Sequence, residues 1–478
     1  MADEARYVEF ITNREEDFSR WYTDVVLKAE LADYSPVRGC MVIRPYGFAL
    51  WENVKEHLDR RIKATGHQNA YFPMFIPESF LKKEAEHVEG FAPQVAWVTH
   101  GGDEKLEERL AVRPTSETVI CAMYAKWIQS YRDLPVLINQ WANVVRWEKV
   151  TRPFLRTMEF LWQEGHTVHA TAEEAQEETL RMLEVYRRFY EEDLAIPVVA
   201  GVKSESERFA GAQDTYSVEA LMQDGRALQS GTSHFLGQHF AKVFDITFLD
   251  RDGQRKHGWQ TSWGVSTRSI GAIVMVHGDD AGLMLPPKIA PIQVVIVPIY
   301  KNDQEKKAVY EMVDEIEAAL HNDVRVHVDR REEQTPGWKY NEWELRGVPV
   351  RLEIGPRDVK QEKVVLVRRD NRGKTFVPKG EVLAQVQSLL ADIQQALFDR
   401  ALKYREENTH HADSMAEIEE IMEVQRGFVY AHWCGSAECE RAIQERTSAT
   451  IRVRPFDAPT GEGQCIHCGK ESAGKVLF

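Results

Sequence analysis

The stretch RWEKVTRPFLRTMEFLWQEGH, Arg146 to His166, decides how the rest of the chain is read. Val, Trp and Phe favour pleated surfaces and Pro cannot donate within a central ladder, so VVRWEKV and TMEFLWQEG read as two strands and TRPFL as the loop joining them. This makes a hairpin with a cationic tip, on which Arg146 and Arg156 lie ten residues apart. Each guanidinium is a planar fork of donors that stays charged, so the two together can hold two phosphates of one nucleotide. A surface ion-pair hairpin explains the same residues equally well.

Immediately upstream, VLINQWANVVRWE from Val136 is long enough to be a central strand feeding the hairpin. AVRPTSETVICAMYAKWIQ from Ala111 begins extended and turns helical, with Ser116 as N-cap and Val119, Ile120, Met123, Trp127 and Ile128 as the apolar stripe. A helix start collects amide donors, so Thr115, Ser116 and Glu117 stand where a small polar ligand can be held; an N-cap beside a solvent-facing glutamate is the plainer reading. Residues 14–31 and 48–63 have the periodicity of amphipathic helices. Residues 71–76 read as a strand whose Pro73 needs a sheet edge or a subunit contact.

Downstream, residues 171–194 form a Glu-rich helix with Leu180, Leu183, Tyr186 and Phe189 inward. In RALQSGTSHFLGQHF, Gln229, Thr232 and His234 can share one face of a strand, with Gly231 as a possible bulge. GWQTSWGVSTRSIGAIVMV from Gly258 reads as strand, polar turn and apolar helix, and places Arg268 where burial would require a partner. At PPKIAP, residues 286–291, the composition changes to alternating strands and helices, which implies an α/β domain with a mostly parallel sheet.

A net charge of −15 argues against general coating of nucleic acid, yet residues 346–379 carry ten Lys or Arg against four Asp or Glu. At 478 residues the chain should divide into about two to four domains. The first ten residues lack an apolar export segment, and no apolar run approaches bilayer length, so a cytoplasmic protein without membrane contact is expected. Cys434, Cys439, Cys465 and Cys468 form C-x4-C and C-x2-C pairs, a set that suits tetrahedral zinc, with free thiols as the alternative.

Together these segments resemble the class II aminoacyl-tRNA synthetases, and among them the proline-specific family of archaeal and eukaryote-like type. The long helix with the Pro73 strand is similar to motif 1, RWE through MEFLWQEGH to motif 2, and GVSTRSIG to motif 3. RPTSET, FLRTMEFLWQEGH and GTSHFLGQHF are more specific than the general class motifs, and their resemblance points to proline. The resemblance implies an α+β catalytic domain with an antiparallel sheet (1–288), an α/β anticodon-binding domain (289–400) and a small zinc-binding domain (401–478), paired as a homodimer. It implies ATP, Mg2+ and Zn2+ as cofactors, L-proline and the proline tRNA as partners, and no DNA.

By the same resemblance, Arg146, Arg156 and Arg268 are the catalytic cations. Glu148, Thr157, Phe160, Gln229, Thr232 and Ser266 join them around ATP. Thr115, Glu117, Trp162, His166, Phe209 and His234, with Arg146, form the proline pocket. Glu353, Arg357 and Lys360 read the anticodon, and Cys434, Cys439, Cys465 and Cys468 hold zinc. No editing insertion is expected between motifs 2 and 3. The family commonly ends in tyrosine near the active site, whereas this chain ends KVLF, so Phe478 lacks that hydroxyl. A sister class II synthetase and a catalytically silent tRNA-binding paralogue are the competing readings.

Overall fold

The computed structural model describes residues 11–85, 94–459 and 461–478. Residues 1–10, on which the expectation of no export segment rests, lie outside them. The first helix, α1 (Phe18–Lys28), starts where the Asp17 carboxylate accepts the Arg20 amide and buries Trp21, Tyr22, Val25 and Val26. The second, α2 (Pro45–Ala64), opens on proline, whose missing N–H costs nothing at a helix start, and buries Leu50, Trp51, Val54, Leu58 and Ile62. The short strand β1 (Gln68–Asn69) follows. Pro73 then precedes the next strand, which is confined to Phe75–Pro77 in a small separate sheet. The expected strand over 71–76 is therefore shortened, as a residue without an amide donor requires.

Helix α3 (Glu117–Trp127) leads to β2 (Val136–Val145) and β3 (Glu159–His169), the hairpin from which the reading began. Its tip closes between Arg152 and Arg156, each accepting the other's amide. Helix α4 (Ala172–Arg188) has a capping box from Thr171 and Glu174 and buries Leu183 and Tyr186. Leu180, expected inward, is 39% exposed, because it falls on the charged side of the helix.

The large sheet is completed by β4 (Val198–Val202), β5 (Asp214–Leu221), β6 (Ala227–Gly237) and β7 (Trp259–Ser266), the last running into helix α5 (Arg268–His277). Its order is β4-β5-β6-β7-β3-β2-β1, with Arg454–Pro455 beside β4 at the edge. All pairs are antiparallel except β1 with β2. Gly165 on β3 allows the Trp263 indole of β7 to cross it: a Cβ there would lie 2.1 Å from the ring. The strands β4, β5 and β6 and helix α4, all between the second and third motifs, build the large sheet and its cover.

The next domain has a five-stranded sheet of β8 (Val294–Pro298), β9 (Val326–Val328), β10 (Val350–Ile354), β11 (Lys363–Arg368) and β12 (Lys374–Pro378), ordered β9-β8-β10-β11-β12. The first three are parallel and the last two antiparallel, a correction to the mostly parallel sheet expected. A parallel return needs a crossover of a dozen or more residues, and the links after β10 and β11 are too short for one. Helices α6 (Asp303–Leu320), α7 (Pro336–Leu345) and α8 (Val382–Glu407) surround this sheet. The C-terminal module combines three strands, Thr409–Ala412, Phe428–His432 and Lys475–Leu477, with helix α9 (Ala437–Thr447).

Candidate active site

One face of the large sheet floors a cavity of about 270 Å³. Alternation along β3 sends Phe160, Trp162, Glu164 and His166 into it, while Gln163 turns to the opposite side and meets Tyr186 of α4. Ser262, Gly264 and Ser266 line it from β7 by the same period. On β6 the period is broken: Gly231 faces Val218 and Gln229 faces the adjacent Glu219, so Ser230 is an extra residue in a bulge. That bulge resets the parity and allows Gln229, Thr232 and His234 to line one cavity.

At one end stands a buried polar cluster. The Glu164 carboxylate accepts the Ser116 amide at 3.1 Å, the Ser116 hydroxyl at 2.5 Å, Gln140 Nε2 at 2.9 Å and His166 Nε2 at 3.0 Å. Ser116 thus occupies the N-cap position of α3, but its hydroxyl serves Glu164 rather than the helix. Burial alone would raise Glu164, and the His166 contact outweighs it, so the carboxyl stays below its ordinary range. Burial would lower His166, and Glu164 followed by Glu117 holds it above its ordinary value. Glu117, far from facing solvent, is 5% exposed and accepts the Thr115 hydroxyl.

His234 differs from its neighbour. Burial, reinforced by the charge of His166, pushes it down to about 3, so it is neutral at pH 7. Its Nδ1 shares a hydrogen bond with Thr215 Oγ1 at 3.0 Å, and the Phe209 ring lies over it at 4.7 Å. Trp162, Phe209 and His234 therefore give an uncharged ring-lined wall beside a carboxylate.

The other part of the cavity is cationic. Arg146 donates from Nε to the Pro114 carbonyl at 3.0 Å, and its guanidinium carbon lies 5.4 Å from the centroids of both Phe160 and Trp162. Arg268 donates to the carbonyls of Leu155 and Gln229 at 3.1 and 3.4 Å. Burial lowers the pKa of both, yet a guanidinium remains charged in that range. Among the described residues neither forms an ion pair. Two half-buried cations lacking a paired carboxylate favour an anionic ligand.

Three residues expected at the nucleotide lie outside this cavity. Arg156, its side chain 62% exposed, pairs with Glu148 at 2.7 Å near the hairpin tip, and Thr157 donates to the Glu159 carbonyl. Glu164, Glu207, Thr215 and Ser262 line the cavity but were not singled out from the sequence. Glu164 could have been found, since it lies two residues from both Trp162 and His166; Glu207 comes from a loop that has no period to read.

Elsewhere, Glu353 is 7% exposed and accepts Arg351 Nε at 3.0 Å, whereas Arg357 and Lys360 project from the exposed side of the short helix Pro356–Gln361. The Sγ atoms of Cys434, Cys439, Cys465 and Cys468 all lie within 4.8 Å of one another. A tetrahedral zinc with Zn–S of about 2.3 Å needs edges of about 3.8 Å, so this all-thiol set fits the ion. Phe478 is buried in the C-terminal core, with its amide and carbonyl paired to Val429, and does not line the cavity.

Comparison with known proteins gives consistent matches. The tRNA synthetase class II core domain (G, H, P, S and T) matches residues 97–277, an anticodon binding domain residues 293–389, and the prolyl-tRNA synthetase C-terminal domain residues 415–478. A proline--tRNA ligase of Natranaerobius thermophilus is 62% identical, covering 97% of this chain and 95% of that protein. Proline--tRNA ligase 2 of Clostridioides difficile is 58% identical over 100% and 98% of the two chains. The crystal structure of prolyl-tRNA synthetase from Cryptosporidium parvum, complexed with halofuginone and AMPPNP, superposes with a TM-score of 0.94 at 41% identity over 98% of each chain.

Proposed function

The chain belongs to the prolyl-tRNA synthetase family and attaches proline to tRNA at the expense of ATP, and from that premise we infer which of its residues carry the reaction. Neither a silent paralogue nor a sister synthetase of other specificity is favoured by full-length identity to proline--tRNA ligases. The observation that carries the assignment is the pair of half-buried guanidinium groups, Arg146 and Arg268, which form no ion pair among the described residues and stand beside a ring-lined pocket with its own carboxylate.

Proline fits the walled end. Its ring packs against Trp162, Phe209 and the neutral His234. Its secondary ammonium donates to Thr115 and Glu117, with His166 held in place by Glu164. Its carboxylate turns toward Arg146. A carboxylate oxygen then attacks the α-phosphorus of ATP; the new O–P bond forms as the bond to the bridging oxygen breaks, and pyrophosphate leaves with those electrons. The terminal adenosine hydroxyl of the tRNA attacks the resulting carbonyl, releasing AMP and a proton. Little covalent help is needed, so catalysis rests on positioning and on charge at the phosphates.

Arg146 stabilises the α-phosphate. Gln229, Thr232 and Ser266 contact the nucleotide, whose adenine lies between Phe160 and the Arg268 guanidinium. Arg156 and Arg268 hold the outer phosphates, for which Arg156 exchanges Glu148 as its anionic partner, and Thr157 contacts the nucleotide. Magnesium bound to the phosphates supplies further charge neutralisation. Binding of the ATP analogue AMPPNP by the Cryptosporidium parvum enzyme supports this half of the reading.

Domain limits of 1–288, 289–400 and 401–478 follow from the same assignment. Zinc held by Cys434, Cys439, Cys465 and Cys468 stabilises the last domain. Glu353, Arg357 and Lys360 read the anticodon of the proline tRNA, since carboxylate and guanidinium groups suit the edges of unpaired bases. The protein works as a homodimer in the cytoplasm. Tyr71, 71% exposed, and Phe75, 44% exposed, support a subunit contact near Pro73, and no helix is long and apolar enough to cross a membrane.

ATP–pyrophosphate exchange over a panel of amino acids tests the central assignment. Exchange is expected with proline and lost in Arg146→Ala and Arg268→Ala. Undiminished exchange in both variants would place adenylation elsewhere.

A further inference from the structure

Between β4 and β5 the chain leaves the sheet as a loop, residues 203–213, and this loop delivers Glu207 and Phe209 to the cavity. Its own hydrogen bonds are few at the outer end. Glu207 donates its amide to the Ser204 carbonyl, and the Phe209 amide is received by Thr215 Oγ1, the hydroxyl that also meets His234. Arg208 also donates to the Gln213 carbonyl at 2.9 Å and the Ala212 amide to the Phe209 carbonyl at 3.0 Å, and a further anchor comes from 234 to 236 residues along the chain.

Glu440, on helix α9 of the C-terminal module, is 5% exposed and straddles the loop. Ser204 Oγ donates to its Oε1 at 2.6 Å and Ser206 Oγ to its Oε2 at 2.9 Å, so both carboxylate oxygens are spent on this one loop. Three further contacts lie at the same junction. Arg452 of the module donates to the buried Glu219 at 2.8 and 3.1 Å, and Lys203, the first residue of the loop, reaches the same carboxylate at 2.9 Å. Arg454–Pro455 pairs with β4 so closely that a Cβ at Gly201 would lie 2.3 Å from the Arg454 carbonyl.

A buried carboxylate with both oxygens committed to Ser204 and Ser206 is a costly arrangement for simple cohesion between domains, where apolar packing would serve. It does fix the height and rotation of a short loop whose tip forms one wall of the cavity. We propose that Glu440 is a positioning residue for the amino-acid site: through Ser204 and Ser206 it holds the Glu205–Glu207 turn, and thereby Phe209, against His234. The C-terminal module thus completes the proline pocket without touching the substrate. This rests on the assignment of the Phe209 end of the cavity to proline.

The test compares Glu440→Ala, Glu440→Gln, Ser204→Ala/Ser206→Ala and the combination of Glu440→Ala with both serine changes, using the full-length enzyme in ATP–pyrophosphate exchange. Loss of hydrogen bonds to a charged acceptor should raise KM for proline about tenfold or more in Glu440→Ala and in the double serine variant. KM for ATP should stay within about twofold, the combined variant should add little, and Glu440→Gln should recover part of the loss. Trypsin should cut more rapidly after Arg208, within the loop, in the variants than in the parent.

Phe209→Ala separates the two readings. If it leaves KM for proline unchanged, the pocket assignment fails. If it raises KM while Glu440→Ala and the serine variant do not, only the positioning role is overturned. Equal loss of both substrates together with a lowered unfolding midpoint in both variants would make Glu440 a folding contact and would also overturn it.

Discussion

Replacing Glu164 by Gln keeps the shape of the side chain and removes the charge at the centre of the buried cluster. The two carboxylate oxygens face only donors: one meets the Ser116 hydroxyl and Gln140 Nε2, the other the Ser116 amide and His166 Nε2. A glutamine must turn its NH2 toward one of those sets. Gln140 cannot simply reverse its amide, because its Oε1 accepts the Phe72 amide at 2.5 Å. One donor is therefore left facing another, at about 1–3 kcal/mol, and the partner of a buried His166 is lost, in a class of change worth about 3–5 kcal/mol. Taking about 3 kcal/mol as the low end, the unfolding midpoint of a catalytic domain this large should fall by roughly 5–10 °C.

The pH dependence is a second signature of the same residue. His166 is raised, so its contribution is complete below the ordinary histidine value of about 6.5 and fades as pH rises through the raised value. Glu164 is lowered, so its share is present above the ordinary carboxylate value and fades only as pH falls through the lowered one. The parent should therefore lose stability as pH rises above about 6.5, and Glu164→Gln should lose most of that slope, leaving the part that Glu117 supplies. Thermal unfolding of both proteins at a series of pH values, followed by near-ultraviolet circular dichroism, measures it. A midpoint within about 1 °C of the parent, with the alkaline slope intact, would refute the reasoning.

Arg146→Lys retains a positive charge and loses the planar fork beside Phe160 and Trp162; kcat/KM in pyrophosphate exchange should fall by about 10²–10³, against little change if only net charge mattered. Gly165→Ala places a methyl inside the Trp263 ring, and should destabilise by at least about 1–3 kcal/mol in denaturant unfolding. Protein purified without chelator should contain about one zinc per chain, and Cys465→Ser should abolish it; four free thiols and no metal would contradict the zinc assignment. Arg357→Ala should weaken discrimination between the proline tRNA and an anticodon variant by about 1–3 kcal/mol, read as the ratio of their kcat/KM values.

What could be read in advance depended on periodicity. The β2–β3 hairpin, helix α3 and the break at 286–291 are local patterns, and Trp162 and His166 follow from the two-residue period of β3. Glu164 shares that period and could have been placed inward with them; what the period does not show is that Ser116 and Gln140 supply the donors that satisfy it there. The set Gln229, Thr232 and His234 depends on a bulge at Ser230, which alternation alone assigns to no position. Arg156, expected at the nucleotide, pairs instead with Glu148, eight residues away across the hairpin tip, a partner that strand periodicity does not select. The antiparallel end of the second sheet came from link length, and the loop carrying Glu207 and Phe209 is held by Glu440, a pairing across 234 to 236 residues that no local pattern encodes.

The most direct measurement is a crystal structure of the enzyme with a non-hydrolysable prolyl-adenylate analogue. The account predicts the pyrrolidine ring against Trp162, Phe209 and His234, its nitrogen within hydrogen-bond distance of Thr115 or Glu117, and the phosphate analogue on Arg146. An analogue bound with its ring away from His234, or with its phosphate position out of reach of Arg146, would contradict it.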